Sequence, residues 1–437
     1  MTRRDAAVLT PPQAEWRYIV LSGLQWLPVG LVVPVLVLLL RARGLELPVI
    51  GALFAVYTVV VIVLELPTGS FADVLGRRRT LMLSRILSVA SLAGMAVATD
   101  VVQFGAVMAL AGIARALQSG PLEAWYVDTV RAADAEADVR RGISRAWAVE
   151  AAALASGAIV GGLLPSLVNG LPSGGLLIPL SIPWLAAAVL QGLGLIAVLL
   201  LMIEPPNGTR APVSRIVRDV PTTVAKGLRL AGGDRTIRLV LGATAGFGFA
   251  LSALETVAPV QFATLLGGEE RASGAYGVLV TLAFFGTSLG SAAAPRAAAR
   301  IGSGPRTAAL VTTFMAVALA GMATGASFLV VAALYVAFYL FAGMAGPLNN
   351  ETLHQRVEAD QRATLLSVVS LAQMSGGLVS SLLVPAIAAV SFGLGWAVAA
   401  VIVLAGAVLL GMLPRAIPRR RLVEDTPAEL AARQAVR

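Results

Sequence analysis

Twelve long apolar runs follow one another along the chain, near residues 18–41, 49–68, 79–99, 101–122, 143–168, 176–203, 237–264, 274–294, 307–325, 327–348, 364–390 and 392–413. Each is long enough to cross a hydrocarbon core of about 30 Å as a helix, which takes about 20 apolar residues. Membrane-spanning β-strands would instead alternate over segments of about 10 residues. The pattern therefore predicts an all-α membrane protein with twelve transmembrane helices. Composition agrees, since 57% of the 437 residues are hydrophobic and 13% charged, whereas a soluble domain is about a quarter charged.

The net charge of +9 would suit nucleic acid only if the basic residues formed one surface. Of 33 lysine and arginine residues, Arg41, Arg43 and Arg271 fall in odd-numbered loops and Arg115 within a span; the rest are assigned to the tails and even-numbered loops. The positive-inside rule then places both termini in the cytoplasm and leaves no role for nucleic acid. The polar start Thr2-Arg3-Arg4-Asp5 precedes a first run too long for a signal sequence, so no cleaved leader is expected. The absence of cysteine removes disulfides and thiolate metal sites, and no metal or cofactor is expected. A single lysine, Lys226, in an Ala-, Val- and Arg-rich chain points to a GC-rich bacterial genome and a bacterial cytoplasmic membrane. A monomer is expected, on no feature of the composition.

One polar stretch between the second and third runs reads Gly69-Ser70-Phe71-Ala72-Asp73-Val74-Leu75-Gly76-Arg77-Arg78-Arg79. Glycine at positions 69 and 76 permits tight turns and close helix approach, while the arginines are within reach of lipid phosphates. The stretch resembles the signature of the major facilitator superfamily, G-x-x-x-D-x-x-G-R-[RK], with Gly69, Asp73, Gly76, Arg77 and Arg78 on its fixed positions. The resemblance implies a charge latch that holds an outward-open state: Asp73 faces the end of helix 11, and Arg77 pairs with an acid closing helix 4, here Asp128. Arg115 with Gln118 is similar to the family's helix-4 motif R-x-x-Q-G, associated with proton coupling, with the glycine displaced to Gly120. The Gly-Pro pair of the family's helix-5 antiporter motif has no counterpart before Gly161-Gly162.

The second half repeats the first. Gly120-Pro121-Leu122 returns as Gly346-Pro347-Leu348, an offset of 226, which marks a duplicated six-helix unit. The resulting division is a tail over 1–17, a bundle over 18–203, a linker over 204–236, a bundle over 237–413 and a tail over 414–437. In the linker Val213, Ile216, Val217 and Val220 lie opposite Arg215, Arg218 and Asp219, the pattern of an amphipathic helix on a lipid surface. The hairpin of the second unit, 290–306, keeps Arg296 and Arg300 but has no acid.

Arg115, Glu150 and Glu255 fall within spans. Each costs about 2.5 to 3.5 kcal/mol at hydrocarbon depth unless paired or hydrated. Spans 4 and 5 are sequential, so Arg115 and Glu150 are expected to meet while Glu255 faces a cavity. A carboxyl group in a partly dry cavity can exchange protons near neutrality, which makes these three residues the candidates for proton coupling. Gln25, Asn349 and Gln373 are the candidates for lining a substrate cavity, and Pro28 and Pro34 suggest that span 1 is a cavity-lining helix. Gly286-Thr287-Ser288-Leu289-Gly290 fits a nucleophile pattern but lies inside a span rather than at a strand-to-helix elbow, and no phosphate-binding loop is present. The resemblance thus implies a non-enzymatic secondary transporter working by alternating access, exporting small organic or drug-like compounds against protons. A proton symporter importing a solute, a lipid or lysolipid flippase, and a transport-dead membrane sensor remain open.

Overall fold

The computed structural model describes residues 9–168, 175–204, 229, 232–325, 327–358 and 361–414, with the backbone alone for 66–74 and 363. Uninterrupted apolar sequence becomes helix because every backbone N–H and C=O must be satisfied within the segment at membrane depth. The first half holds α1 (Pro11–Val32), α2 (Leu36–Ala42), α3 (Leu47–Leu75), α4 (Arg77–Val97), α5 (Val101–Gln118), α6 (Pro121–Ala133), α7 (Arg140–Leu167) and α8 (Ile182–Leu201). The second holds α9 (Arg235–Leu266), α10 (Glu269–Ile301), α11 (Gly304–Met322), α12 (Phe328–His354), α13 (Arg362–Val390) and α14 (Phe392–Gly411). Among the described residues these form twelve candidate membrane spans, with α1–α2 and α5–α6 each serving as one broken span.

Each break falls at a proline. Val33 to Val35 interrupt span 1 where Pro34 cannot donate its backbone nitrogen. In span 4, Gly120 takes φ +91° directly before Pro121, and proline disfavours helical geometry in the residue before it. The repeated Gly346-Pro347 behaves differently, because α12 runs through it without a break.

The hairpin between α3 and α4 is tighter than the sequence suggests. Helix α3 continues through Gly69 to Leu75, so of the two glycines expected to turn the chain only Gly76 does so, at φ +91° and ψ +145°. The Glu204 carboxylate occupies the space above it: it accepts from Arg78 N–H at 2.6 Å, and a Cβ on Gly76 would lie 3.0 Å from both Glu204 oxygens. Side chains from three helices converge on the last turn of α8 and the residues after it. Leu199 O accepts from the Arg78 guanidinium at 2.6 Å, Leu201 O from Arg17 at 2.9 Å and Ile203 O from Trp125 Nε1 at 2.8 Å. The last four carbonyls of a helix have no partner inside it, and here α4, α1 and α6 reach this end of α8.

The two halves meet at the end of the molecule remote from residues 9 and 414. There α7 packs on α10, α3 on α13, and α2 on α9 and α10. Glycine makes these approaches possible: Gly162 and Gly277 face each other across the α7–α10 seam, and Gly51 meets the backbone of Ser381 on α13. Two hydroxyls bridge the seam, Ser273 Oγ donating to Gly162 O and Thr281 Oγ1 to Ala155 O, both at 2.9 Å. At the end that carries the termini each half keeps its own apolar core. One surrounds Tyr18, Leu81 and Trp125, the other Ile237, Leu353 and Leu410. The amphipathic helix expected at 213–220 lies outside the described residues.

Candidate functional site

A cavity of about 460 Å³ lies between the halves, lined from both. Its walls come from α1 to α5 and α8 on one side and from α9, α10 and α13 on the other. Most of the lining is aliphatic, including Val29, Val32, Leu92, Met95 and Leu251. Two charged residues enter it from opposite halves: Arg115 on α5 and Glu255 on α9. Glu255 lies deep in the protein yet is exposed, because the space it faces is the cavity. Neither forms an ion pair or hydrogen bond with another described residue. Tyr57 lies near Arg115 and Glu255, and the tilted and edge-on rings of Phe262, Tyr276, Tyr335 and Tyr339 form an aromatic wall behind Glu255.

Of the residues singled out in the sequence, Gln25, Arg115, Glu255 and Gln373 line this cavity. Asn349 does not: it is on α12 next to Leu348, in the part of that helix nearer the terminal end. Nor does Glu150, and the pair expected between it and Arg115 is not among the ion pairs of the described residues. Helix α7 packs on α1 and across onto α10, whereas α5 packs between α3 and α4. Neighbours in sequence are thus separated in space, and Glu150 faces Ser22 and Trp26 of α1. Arg77 and Asp128 do meet, at 2.8 Å, with their side chains 25% and 49% exposed. The side chain of Asp73 lies outside the described residues.

Sequence reasoning passed over two features. Arg85 was counted with the loops, but it lies inside α4 and is 1% exposed. It donates to Gln191 Oε1 at 3.0 Å and to Gln25 Oε1 at 3.1 Å. Asp234 caps the start of α9, accepting from Thr236 N–H and Ile237 N–H, and is gripped by Arg356 at 2.6 Å. Burial pushes this carboxyl up, but the Arg356 guanidinium and the two backbone donors outweigh burial and hold it below the ordinary carboxylate value. A helix start offering free N–H groups and an acid one residue before it was the signal in the sequence.

Two six-helix units packed together at one end around a central cavity are the architecture of a secondary transporter. The family model of the Major Facilitator Superfamily matches residues 19–275. The chain belongs to the Major Facilitator Superfamily and is a secondary transporter. No curated protein matches it in sequence. Solved structures share the fold. The nucleoside transporter NupG is 15% identical with a TM-score of 0.68, over 91% of this chain and 97% of that one. A D-xylose–proton symporter is 14% identical with a TM-score of 0.70, over 92% and 98%. The human organic anion transporter MFSD10 is 18% identical with a TM-score of 0.60, over 92% and 99%.

Proposed function

We propose that this protein exports small, moderately apolar organic compounds in exchange for protons, and that Glu255 carries the proton. The observation behind this reading is the cavity itself, a largely aliphatic chamber lined by one carboxyl group that has no ion-pair or hydrogen-bond partner among the described residues. With the termini in the cytoplasm, the parted end faces inward and the chamber is open for loading from the cytoplasm or the inner leaflet. Glu255 would then take its proton from the outside after substrate held against Arg115 has left, so that the two occupy the chamber in turn. A gradient of one pH unit with 100 mV gives one proton the capacity to sustain a substrate gradient of about 500-fold. Asp73, Gly69, Gly76, Arg77, Arg78 and Asp128 act in this reading as the latch of the opposite state. Within it, Arg77–Asp128 is the part that stays inside one half and prepares the hairpin.

Uptake into proteoliposomes under an imposed pH gradient tests this. Wild-type protein is expected to move protons when an apolar aromatic compound is added, and Glu255→Gln to lose that movement while retaining exchange of substrate for substrate. Proton flux that persists in Glu255→Gln rejects the assignment. The likeness to a D-xylose–proton symporter favours import as the second reading. Flux of substrate and proton in the same direction would establish it.

A further inference from the structure

Arg85 has no function in the scheme above, yet a fully buried guanidinium at membrane depth is among the most costly groups a span can hold. None of the ion pairs among the described residues involves it, and its Nε atom is buried without a hydrogen-bond partner. Among the described residues its only hydrogen-bond partners are the amide oxygens of Gln191 on α8 and Gln25 on α1. Arginine has donors and no acceptor, so each glutamine must turn its oxygen towards it and its NH₂ group away. Both glutamines line the cavity, although they are only 3% and 8% exposed. Neither amide nitrogen is a buried orphan, and neither finds an acceptor among the described residues. The amide donors therefore open onto the cavity. Ser88 and Leu92, one and two turns further along the Arg85 face of α4, line the same wall.

We propose that the first-half wall of the cavity binds an organic anion, a carboxylate or sulfonate on an apolar body. Two amide donors fixed by Arg85, together with the Arg115 guanidinium, receive its charged group. The proposal rests on the transport reading above and names the substrate class for it. Arg85 is a positioning residue here: it stays behind the wall, polarises both amides and prevents either from presenting its oxygen to the ligand. Hydrogen bonds that run through a charged donor reinforce one another in a medium of low dielectric. Glu255, on the opposite wall, leaves the anion and the proton separate binding places. The aliphatic lining between them suits the body of such a compound.

Equilibrium binding to the full-length purified protein tests this with three probes of one shape: 2-naphthoate, 2-naphthamide and 2-naphthylmethylammonium. Wild type is expected to bind the carboxylate about tenfold more tightly than the amide, with the ammonium weakest. Arg85→Met is expected to lose that preference while binding the amide as before, and Arg85→Lys, also a donor without an acceptor, to restore part of it. A merely structural arginine would change all three probes together. Equal binding of acid and amide by wild type, no binding of the acid, or a preference that survives Arg85→Met overturns the proposal. Should Arg85→Met not fold, Gln191→Leu decides: the preference falls, or its persistence counts against the site. Proton-driven flux is read separately. A carboxylate preference without such flux rejects the export reading and leaves the anion site standing; flux of neutral compounds with no carboxylate preference does the reverse.

Discussion

Gly76 carries two demands at once, a φ of +91° and room for the Glu204 carboxylate. Backbone in that region costs a residue with a side chain about 1 to 3 kcal/mol, and the added Cβ would also lift Glu204 from the Arg78 N–H. Gly76→Ala is therefore expected to lower the melting temperature in detergent, and to do so less in a Glu204→Ala background. A melting temperature unchanged by Gly76→Ala would contradict the geometry. Asp234 gives a pH prediction. Its carboxyl is held below the ordinary value in the folded protein, so its contribution to stability is present above the unfolded-state value of about 3.9 and is lost as pH falls through the lower folded value. Melting curves from pH 7 down to pH 3 should show an acid loss that Asp234→Asn reduces, with the two proteins running parallel above pH 5.

The dipeptide Gly-Pro occurs at the same place in spans 4 and 10 with opposite results. Gly120 sits at positive φ between α5 and α6, with nothing within 4 Å of where a Cβ would be; Gly346 also has open space there but is helical within α12. Gly120→Ala is expected to destabilise by about 1 to 2 kcal/mol through backbone strain, and Gly346→Ala to stabilise by about 0.5 to 1 kcal/mol through helix propensity. Thermal melts of the two single variants check the difference in sign. The twelve spans were legible in the sequence because a long apolar run specifies a spanning helix whatever it packs against. The break was not, since both copies carry the same local signal and the difference lies in the partners of α6. Trp125 reaches Ile203 and Tyr126 stacks on Tyr18 at 4.5 Å. Arg85 was hidden for a related reason. A charge six residues past the Arg79 run reads as part of the loop, and its meaning depends on glutamines 60 and 106 residues away in sequence. The absence of an Arg115–Glu150 pair has the same origin, because order along the chain does not fix which helices touch.

On the scale of the molecule, the halves are held at one end by glycine-mediated packing and two hydroxyl bonds, and none of the three ion pairs among the described residues crosses between them. A hydroxyl bond between membrane helices contributes about 0.6 kcal/mol on average. Thr281→Val should remove one of them and shift the balance of states about threefold towards opening at the sealed end. The chain has no cysteine, so Ser88→Cys in the cavity wall gives a clean report: its alkylation from the terminal side should slow when Thr281→Val is added. An unchanged rate would place the control of the seal elsewhere.

The meeting of α1, α4 and α6 at the end of α8 also bears on how the protein is made. Helix α8 is the last span of the first half to leave the ribosome, and it brings the carbonyls that Arg17, Arg78 and Trp125 are waiting to engage. Domains made first generally fold first. The first half can therefore close on itself as soon as residue 204 is in place, before any helix of the second half has entered the bilayer.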